Sequence, residues 1–154
     1  MISLQSGEFL EINIQELMIP SERVAHVQIG NTLEHAILVL TKSGYTAIPV
    51  LDLEYKLKGL ISTPVVLESI LGLERIEFEK LEKNRVENVM NSSIPRITIN
   101  SPVLSTLELL VDHPFLCVEN EQGFFEGILT RRAVLKLLYK HTRRLNKNNH
   151  SSSL

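Results

Sequence analysis

Apolar and polar residues alternate along this chain with two different periods. The helical period is clearest where Leu33, Ala36, Ile37 and Leu40 follow the i, i+3, i+4, i+7 rule, and Gly44 stands where a left-handed residue would end the helix. Short β-rich runs bounded by turn residues predict strands around it. The first half therefore predicts a strand, a helix, a hairpin and a second helix: Val24 to Ile29, a helix capped by Thr32, Thr46 to Leu51 with Leu57 to Ser62, and Pro64 to Gly72.

The second half predicts the same elements in the same order. They are a strand, a helix, a hairpin and a last helix: Arg96 to Ile99, a helix opened by Ser101-Pro102 and closed by His113-Pro114, Phe115 to Glu119 with Phe124 to Leu129, and a helix opened by Thr130. Each half is thus a β-α-β-β-α unit, and the fold class is α+β.

Sequence echoes support two copies of one unit. Leu17-Met18 is echoed 72 positions later by Val89-Met90, and Gly59 to Ser62 is echoed 68 positions later by Gly127 to Thr130. An internal repeat indicates that one unit cannot bury its apolar face alone. We therefore expect the two units to close on each other, with any ligand between them.

Composition narrows the function classes. The chain has 154 residues, a net charge of −2 and 44% hydrophobic residues, which is typical of a globular protein without a general affinity for nucleic acid or anionic membranes. Cys117 is alone, and the five histidines share no metal-ligand spacing, so neither a disulfide nor a metal site is expected. No export signal or membrane span is visible, which favours the cytoplasm.

Two segments lie outside the repeats. Leu73 to Asn84 is rich in Glu and Lys, with Leu73, Ile76 and Leu81 on one stripe, and predicts an amphipathic linker helix on the outside of the fold; a membrane-surface role is the alternative. His141 to Leu154 is polar and predicts a disordered tail. The expected units are repeat 1 at 14–72, the linker at 73–84, repeat 2 at 85–140 and the tail at 141–154.

Each of the two repeated units resembles the CBS domain, and the two in tandem resemble a CBS pair, or Bateman module. Repeat 1 carries the pattern through Ala36, Pro49 to Asp52 and Gly59 to Ser62, whereas repeat 2 has Cys117 for the proline and Asn120 for the aspartate. The resemblance covers residues 14 to 140. It implies that the two repeats pack sheet to sheet with pseudo-two-fold symmetry, that adenosine-containing nucleotides bind in the clefts between them, and that the chain is a regulator without enzymatic activity.

The chain departs from the family pattern where a ribose would be held. Many CBS repeats that bind adenine nucleotides carry an aspartate three residues after the Ser/Thr, but here these positions are Val65 and Ala133. Arg131 and Arg132 instead open the last helix, where a cation is disfavoured by about 0.3–1 kcal/mol. An anionic ligand would resolve this conflict, because helix-terminal N–H groups and guanidinium groups both favour phosphate. The alternative is solvated surface charge, or pairing with a carboxylate such as Glu126.

The resemblance also implies which residues line the cleft. Arg23 and Ala25 belong to the segment that faces the Ser/Thr turn of the other repeat, while Tyr45 could contribute a ring beside the cleft. An ordinary strand-edge cation and simple packing are the alternatives for Arg23 and Tyr45. The candidate ligand-binding residues are Arg23, Val24, Ala25, Tyr45, Thr46, Ala47, Thr130, Arg131 and Arg132.

Together these features predict a non-enzymatic adenine-nucleotide sensor that binds cyclic di-AMP and regulates target proteins. The 3′ oxygens of cyclic di-AMP are esterified, so no vicinal diol requires a carboxylate. AMP, ADP or ATP is the alternative ligand. A nucleic-acid-binding regulator that uses Arg143, Arg144 and Lys147 is a less favoured class.

The resemblance further implies a homodimer, because CBS pairs commonly associate through the surfaces of their second helices. These helices carry more apolar residues than one internal face needs, and surplus exposed apolar surface marks an interface. The candidate interface residues are Val65, Val66, Leu67, Ile70, Val134, Leu135 and Leu138. The alternative is that both helices are buried within the monomer.

Overall fold

The computed structural model describes residues 13–152 of the chain, and their side chains up to residue 148. The helices are α1 (Ile14–Leu17), α2 (Leu33–Ser43), α3 (Thr63–Ile70), α4 (Lys80–Lys83), α5 (Val103–Asp112) and α6 (Arg131–Ser152). The strands are β1 (Ile19–Pro20), β2 (Val27–Gln28), β3 (Ala47–Leu51), β4 (Leu57–Ser62), β5 (Arg96–Ile97), β6 (Phe115–Glu119) and β7 (Phe125–Thr130). Single 3-10 turns lie at Ser21–Arg23 and Val86–Asn88.

The two halves of the molecule have the same strand topology. In repeat 1, β2 runs parallel to β3 and β3 antiparallel to β4, and β5, β6 and β7 repeat this arrangement in repeat 2. The strand orders are β2-β3-β4 in one sheet and β1-β7-β6-β5 in the other. The β-α-β-β-α order predicted from the sequence is therefore confirmed in each half.

Each repeat contributes its first segment to the sheet of the other repeat. Ile19 of β1 pairs antiparallel with Ile128 of β7, and Asn91, near the start of repeat 2, pairs antiparallel with Leu60 of β4. This close approach requires glycine on both strands. A Cβ on Gly127 would lie 2.2 Å from the carbonyl oxygen of Ile19, and one on Gly59 would lie 2.6 Å from that of Asn91. The glycine that the two sequence echoes share is thus explained by the exchange of segments.

Apolar side chains form one core under each sheet and a third between the sheets. The two outer cores hold the helices of repeats 1 and 2 against their own sheets. The central core draws buried residues from both repeats: Val24, Leu51, Leu57, Cys117, Phe125 and Ile128. The sheets therefore pack face to face, as the family resemblance implied.

The two departures of repeat 2 from the family pattern leave its backbone unchanged. Asn120 Oδ1 accepts the backbone N–H groups of Gln122 and Phe124, both at 3.0 Å. Asp52 Oδ1 closes the equivalent turn of repeat 1 through the N–H groups of Glu54 and Lys56, both at 2.9 Å. An amide oxygen can replace a carboxylate oxygen here without changing the turn, because both accept the same two backbone N–H groups.

The linker does not form the predicted helix over Leu73 to Asn84. Only α4 is helical, because Gly72 and its neighbours make a tight turn instead: the Gly72 N–H donates to the Arg75 carbonyl oxygen at 2.8 Å, and the Glu77 N–H donates to that of Ile70 at 2.7 Å. Leu73 lies at the turn fully exposed, while Leu81 packs against the core of repeat 1.

The predicted disordered tail is also wrong for residues 141–152, which continue α6 without a break. No Gly or Pro interrupts the sequence between Arg131 and Ser152. Extending an existing helix adds one hydrogen bond for each residue fixed, and cations favour the negative C-terminal end of the helix dipole. Residues 153 and 154 of the predicted tail lie outside the described residues.

Candidate ligand-binding cleft

Each repeat starts its last helix in the same way, directly after the hairpin. Ser62 Oγ accepts the Val65 N–H at 3.3 Å in repeat 1, and Thr130 Oγ1 accepts the Ala133 N–H at 3.0 Å in repeat 2. These hydroxyls cap the helix N-termini. Val65 and Ala133, the positions without the family's aspartate, thus lie in the first turns of α3 and α6.

Four of the predicted site residues line one crevice between the repeats. Val24, Ala25, Tyr45 and Ala47 contribute to its wall from repeat 1. The remaining lining residues, which the sequence reasoning missed, are Ile48, Pro49, Phe115 and Ile128. The crevice is narrow and apolar, and it has no space for even a water molecule, so its walls would have to separate before a ring could enter.

Three other predicted residues line a larger hollow at the start of α6. Thr130, Arg131 and Arg132 contribute to a cavity of about 520 Å³. Its other lining residues are Pro114, Leu135, Lys136 and Tyr139, none of which was predicted to bind the ligand. The internal repeat offered a signal for Pro114, because it occupies the position equivalent to Thr46.

The cavity and the crevice are neighbours. Thr130 of the cavity is the cross-strand partner of Phe115 of the crevice, and Ile128 and Thr130 point to the same side of β7 because strand side chains alternate with a period of two. A cationic pocket and an apolar slot therefore adjoin each other at this end of the two sheets.

Arg131 does not use all of its donors toward the cavity. Its Nε donates to the Leu110 carbonyl oxygen at 2.8 Å, and one terminal nitrogen donates to that of Val111 at 3.2 Å. These carbonyls belong to the last turn of α5, the negative end of that helix. The unfavourable placement of two cations at the N-terminus of α6 is therefore partly compensated within the protein, because Arg131 caps the C-terminus of α5.

Arg132 differs from Arg131 although the two are adjacent. Its side chain is exposed, and among the described residues it makes no hydrogen bond or ion pair. Its guanidinium is thus available beside a capped helix N-terminus, and both groups favour an anion. Glu126, the carboxylate suggested as a pairing partner, makes no ion pair with it.

Arg23 and Thr46 line neither the crevice nor the cavity. Arg23 is exposed at the end of the 3-10 turn that packs on β7. Thr46 contributes its backbone, since its carbonyl oxygen accepts the Thr63 N–H at 3.0 Å. Their predicted ligand contacts remain predictions.

The pseudo-symmetric counterpart of this site has different chemistry. Thr63 and Pro64 stand where repeat 2 has Arg131 and Arg132, so no cation opens α3. The β5–β6 register places Pro95 at the position of Ala25. The neighbouring Arg96 is held by the protein, because it donates to the Leu57 carbonyl oxygen at 2.9 Å and pairs with Glu119 at 3.3 Å.

Other candidate chemistry is sparse in the described part of the chain. Burial raises the pKa of the Cys117 thiol to about 12, so this cysteine is an unreactive core residue. Residues 13–148 hold no cluster of His, Cys, Asp and Glu that could bind a metal ion. Among the described helices, none is both long and apolar enough to cross a bilayer.

Comparison with known families identifies the fold. The CBS domain profile matches residues 14–72 and 86–140. The chain therefore belongs to the CBS domain family, and it carries two copies of the domain.

Several individual proteins are similar to this chain in sequence and structure over most of its length. Cyclic di-AMP receptor B of Bacillus subtilis (strain 168) is 58% identical over 147 residues, which cover 96% of this chain and 100% of the relative. A CBS domain-containing protein of Bacillus anthracis has a crystal structure that matches with a TM-score of 0.81 and 63% identity, over 87% of this chain and 97% of the other. The CbpB protein of Listeria monocytogenes, solved in complex with c-di-AMP, matches with a TM-score of 0.81 and 52% identity, over 86% and 98% of the two chains.

Proposed function

We propose that this protein is a non-enzymatic sensor that binds cyclic di-AMP between its two CBS repeats. The observation that carries the proposal is Arg132, a guanidinium without a protein partner among the described residues, on a cavity of about 520 Å³ beside a helix N-terminus. The receptor from Bacillus subtilis and the c-di-AMP complex of the Listeria protein support the choice of ligand.

The division of the site into two parts fits the two parts of the ligand. The crevice offers apolar walls and a tyrosine ring against which a base can pack once the walls separate, because the crevice has no free space as it stands. The cavity offers Arg132 and Lys136 for phosphate oxygens. The cross-strand pair of Phe115 and Thr130 joins the two parts.

The absence of a carboxylate at the two family positions sets the specificity. Val65 and Ala133 leave a free 2′,3′-diol without an acceptor, and no Asp or Glu lines either the crevice or the cavity. A mononucleotide would bury hydroxyl groups unpaired, and an unmade hydrogen bond costs about 1–3 kcal/mol. Cyclic di-AMP has no such diol.

Calorimetric titration with cyclic di-AMP, AMP, ADP and ATP tests ligand choice. We expect cyclic di-AMP to bind at least about tenfold more tightly than any mononucleotide, a difference of about 1.4 kcal/mol. AMP or ATP binding of equal strength would contradict the proposed specificity and favour the alternative of an AMP, ADP or ATP sensor.

The proposal includes a homodimer, but through a smaller surface than the sequence suggested. Val66, Ile70 and Val134 are 0%, 1% and 5% exposed, so these three belong to the core of the monomer and were wrongly assigned to the interface. Exposed apolar residues remain on the outer helices of both repeats: Leu67 of α3, Leu104 and Val111 of α5, and Leu135 of α6.

Sedimentation at micromolar protein concentration tests assembly. A dimer would sediment at twice the 17.5 kDa of the chain. A monomer both with and without cyclic di-AMP would contradict this part of the proposal. Leu67→Glu should dissociate the dimer, because it would place a charge in an apolar contact outside the ligand cavity, while Leu53→Glu, at an exposed turn, serves as the control.

We place the sensor in the cytoplasm, where it acts by binding target proteins and does not itself catalyse a reaction. The two CBS repeats span residues 14 to 140, and a CBS pair that binds a nucleotide can pass the signal on through contacts with other proteins. Cell fractionation with a tagged chain tests the location, and recovery with the membranes would contradict it.

A further inference from the structure

Charge is distributed very unevenly along this chain. Seven of the sixteen Lys and Arg residues and none of the eighteen Asp and Glu residues lie in Arg131–Ser152, the span of α6. The rest of the protein therefore carries a formal charge of −9, whereas the helix carries +7. The modest net charge of −2 conceals this separation.

Most of the cations of α6 lie on one face of the helix. Arg132, Lys136, Lys140 and Arg143 follow a spacing of four, four and three residues, which aligns side chains along a helix. Arg144 lies at the edge of the same face. The stripe from Arg132 to Arg143 is about 16 Å long, at 1.5 Å per residue. We call these five residues the basic stripe.

The basic stripe has no acidic partner within the described residues. All five side chains are exposed, and the ion pairs of the described residues are made by cations elsewhere. Five like charges at i, i+3 and i+4 spacing repel one another, which destabilises an isolated helix by about 0.2–0.5 kcal/mol per pair. A complementary anionic surface would remove this repulsion.

We propose that the basic stripe is the docking surface for an acidic protein segment whose carboxylates repeat along a helix or an extended strand over about 16 Å. Such a partner matches the stripe in sign and in length. Charge complementarity of this kind speeds association and fixes register. The surface lies on α6 beyond the ligand cavity, apart from Arg132 and Lys136, which belong to both.

Two other anionic partners fit the observations less well. A membrane-binding helix inserts its apolar face into the bilayer, but Val134 and Leu138 of that face already pack in the core of repeat 2. A nucleic acid presents phosphates far beyond the length of the stripe, where the acidic body would repel them, since screening leaves about 8 Å of reach at physiological ionic strength. A compact acidic segment avoids both difficulties.

Fluorescence anisotropy with short labelled peptides tests the proposal in full-length protein at physiological ionic strength. The probe is a helical peptide with glutamates at i, i+4 spacing, and its counterpart has lysines in their place. We expect Lys140→Gln/Arg143→Gln to weaken binding of the acidic peptide by about tenfold or more. The matched control, Lys42→Gln/Lys83→Gln, neutralises two exposed cations elsewhere and should change binding by less than about twofold.

The remaining arms separate the competing partners. A single-stranded RNA of comparable charge and phosphatidylglycerol vesicles should bind more weakly than the acidic peptide. Tighter binding to either, equal binding of the lysine peptide, or no loss in the stripe variant would overturn the proposal. If the first stripe variant does not fold by circular dichroism, Arg143→Gln/Arg144→Gln, which alters two exposed side chains, takes its place with the same expectation.

Discussion

The two repeats share a backbone but differ at the positions that would meet a ligand. Both hairpins end at a hydroxyl-capped helix, at Ser62 in repeat 1 and at Thr130 in repeat 2. The next two residues are Thr63 and Pro64 in one repeat and Arg131 and Arg132 in the other. The hairpin and the capped helix are thus the same in both repeats, while the two arginines at the helix start occur in only one of them.

Arg131 and Arg132 have different roles although they are adjacent in the sequence. Arg131 is bound to the last carbonyl groups of α5, whereas Arg132 is left for the cavity. A sequence pattern of two arginines at a helix start does not separate these roles. The separation depends on where the end of α5 lies, which only the packed structure shows.

The largest effect we expect is from Gly127→Ala. A Cβ there would lie 2.2 Å from the backbone of Ile19, which cannot move without breaking the exchanged pairing. We predict a loss of about 3 kcal/mol in the free energy of unfolding, from overpacking against backbone. Urea denaturation measures it.

Gly59→Ala is the matched variant of repeat 1, with its closest contact at 2.6 Å, and should lose somewhat less, about 2 kcal/mol. Leu53→Ala, at an exposed turn, is the control and should stay within about 0.5 kcal/mol of the parent chain. If both glycine variants were as stable as the control, the exchange of segments would not be the reason for glycine in both repeats.

A smaller effect separates the two arginines. Arg131→Met should destabilise the fold by about 1–2 kcal/mol, because it removes two hydrogen bonds to the C-terminal carbonyls of α5 from a charged donor. Arg132→Met should leave stability unchanged or slightly raised, since a cation leaves a helix N-terminus. Thermal unfolding of both variants makes the comparison, and equal losses would contradict the division of roles.

The smallest effect concerns the turns closed by Asp52 and Asn120. The Lys56 N–H, the Glu54 N–H and nearby Lys58 hold the pKa of Asp52 below its usual 3.8, despite an opposing contribution from burial. Because the folded pKa is lower than the unfolded one, the charged form contributes stability above pH 3.8 that is lost as the pH falls through the folded pKa.

Asp52→Asn should therefore have a lower free energy of unfolding than the parent chain at neutral pH, and this difference should disappear in acid. Urea denaturation at several pH values checks this, with Asn120→Gln as a control that has no carboxylate to titrate. A gap that does not depend on pH would show that the turn uses Asp52 only as a neutral acceptor.

The repeated fold was predictable from the sequence because the residues that begin and end its helices act locally. Thr32 caps α2 by accepting the His35 N–H at 3.1 Å, and Gly44 ends it at a φ of 78°. The prediction of a linker helix is wrong for an equally local reason, because the turn at Gly72 outweighs the apolar stripe. The prediction of a disordered tail is wrong because polar composition alone does not exclude a helix, and no residue of the tail stops one.

The candidate site was predictable where the repeat or the family supplied a position, and not where packing decides. Ala25 and Tyr45 do line the crevice, but Phe115 and Ile128 join them from the opposite repeat. Tyr139 and Pro114 line the same cavity although they lie far apart in the sequence. Such contacts depend on the relative placement of elements, which a single sequence does not give.

The central claim is that the start of repeat 2's last helix holds the phosphate of the ligand through Arg132. Calorimetric titration of cyclic di-AMP into Arg132→Met tests it most directly, with Arg144→Met on the same helix as the control. We predict that the first variant loses about 1.5–3 kcal/mol of binding, the range for hydrogen bonds to charged groups, and that the control binds as the parent chain does. Unchanged affinity in a folded Arg132→Met protein would contradict the account.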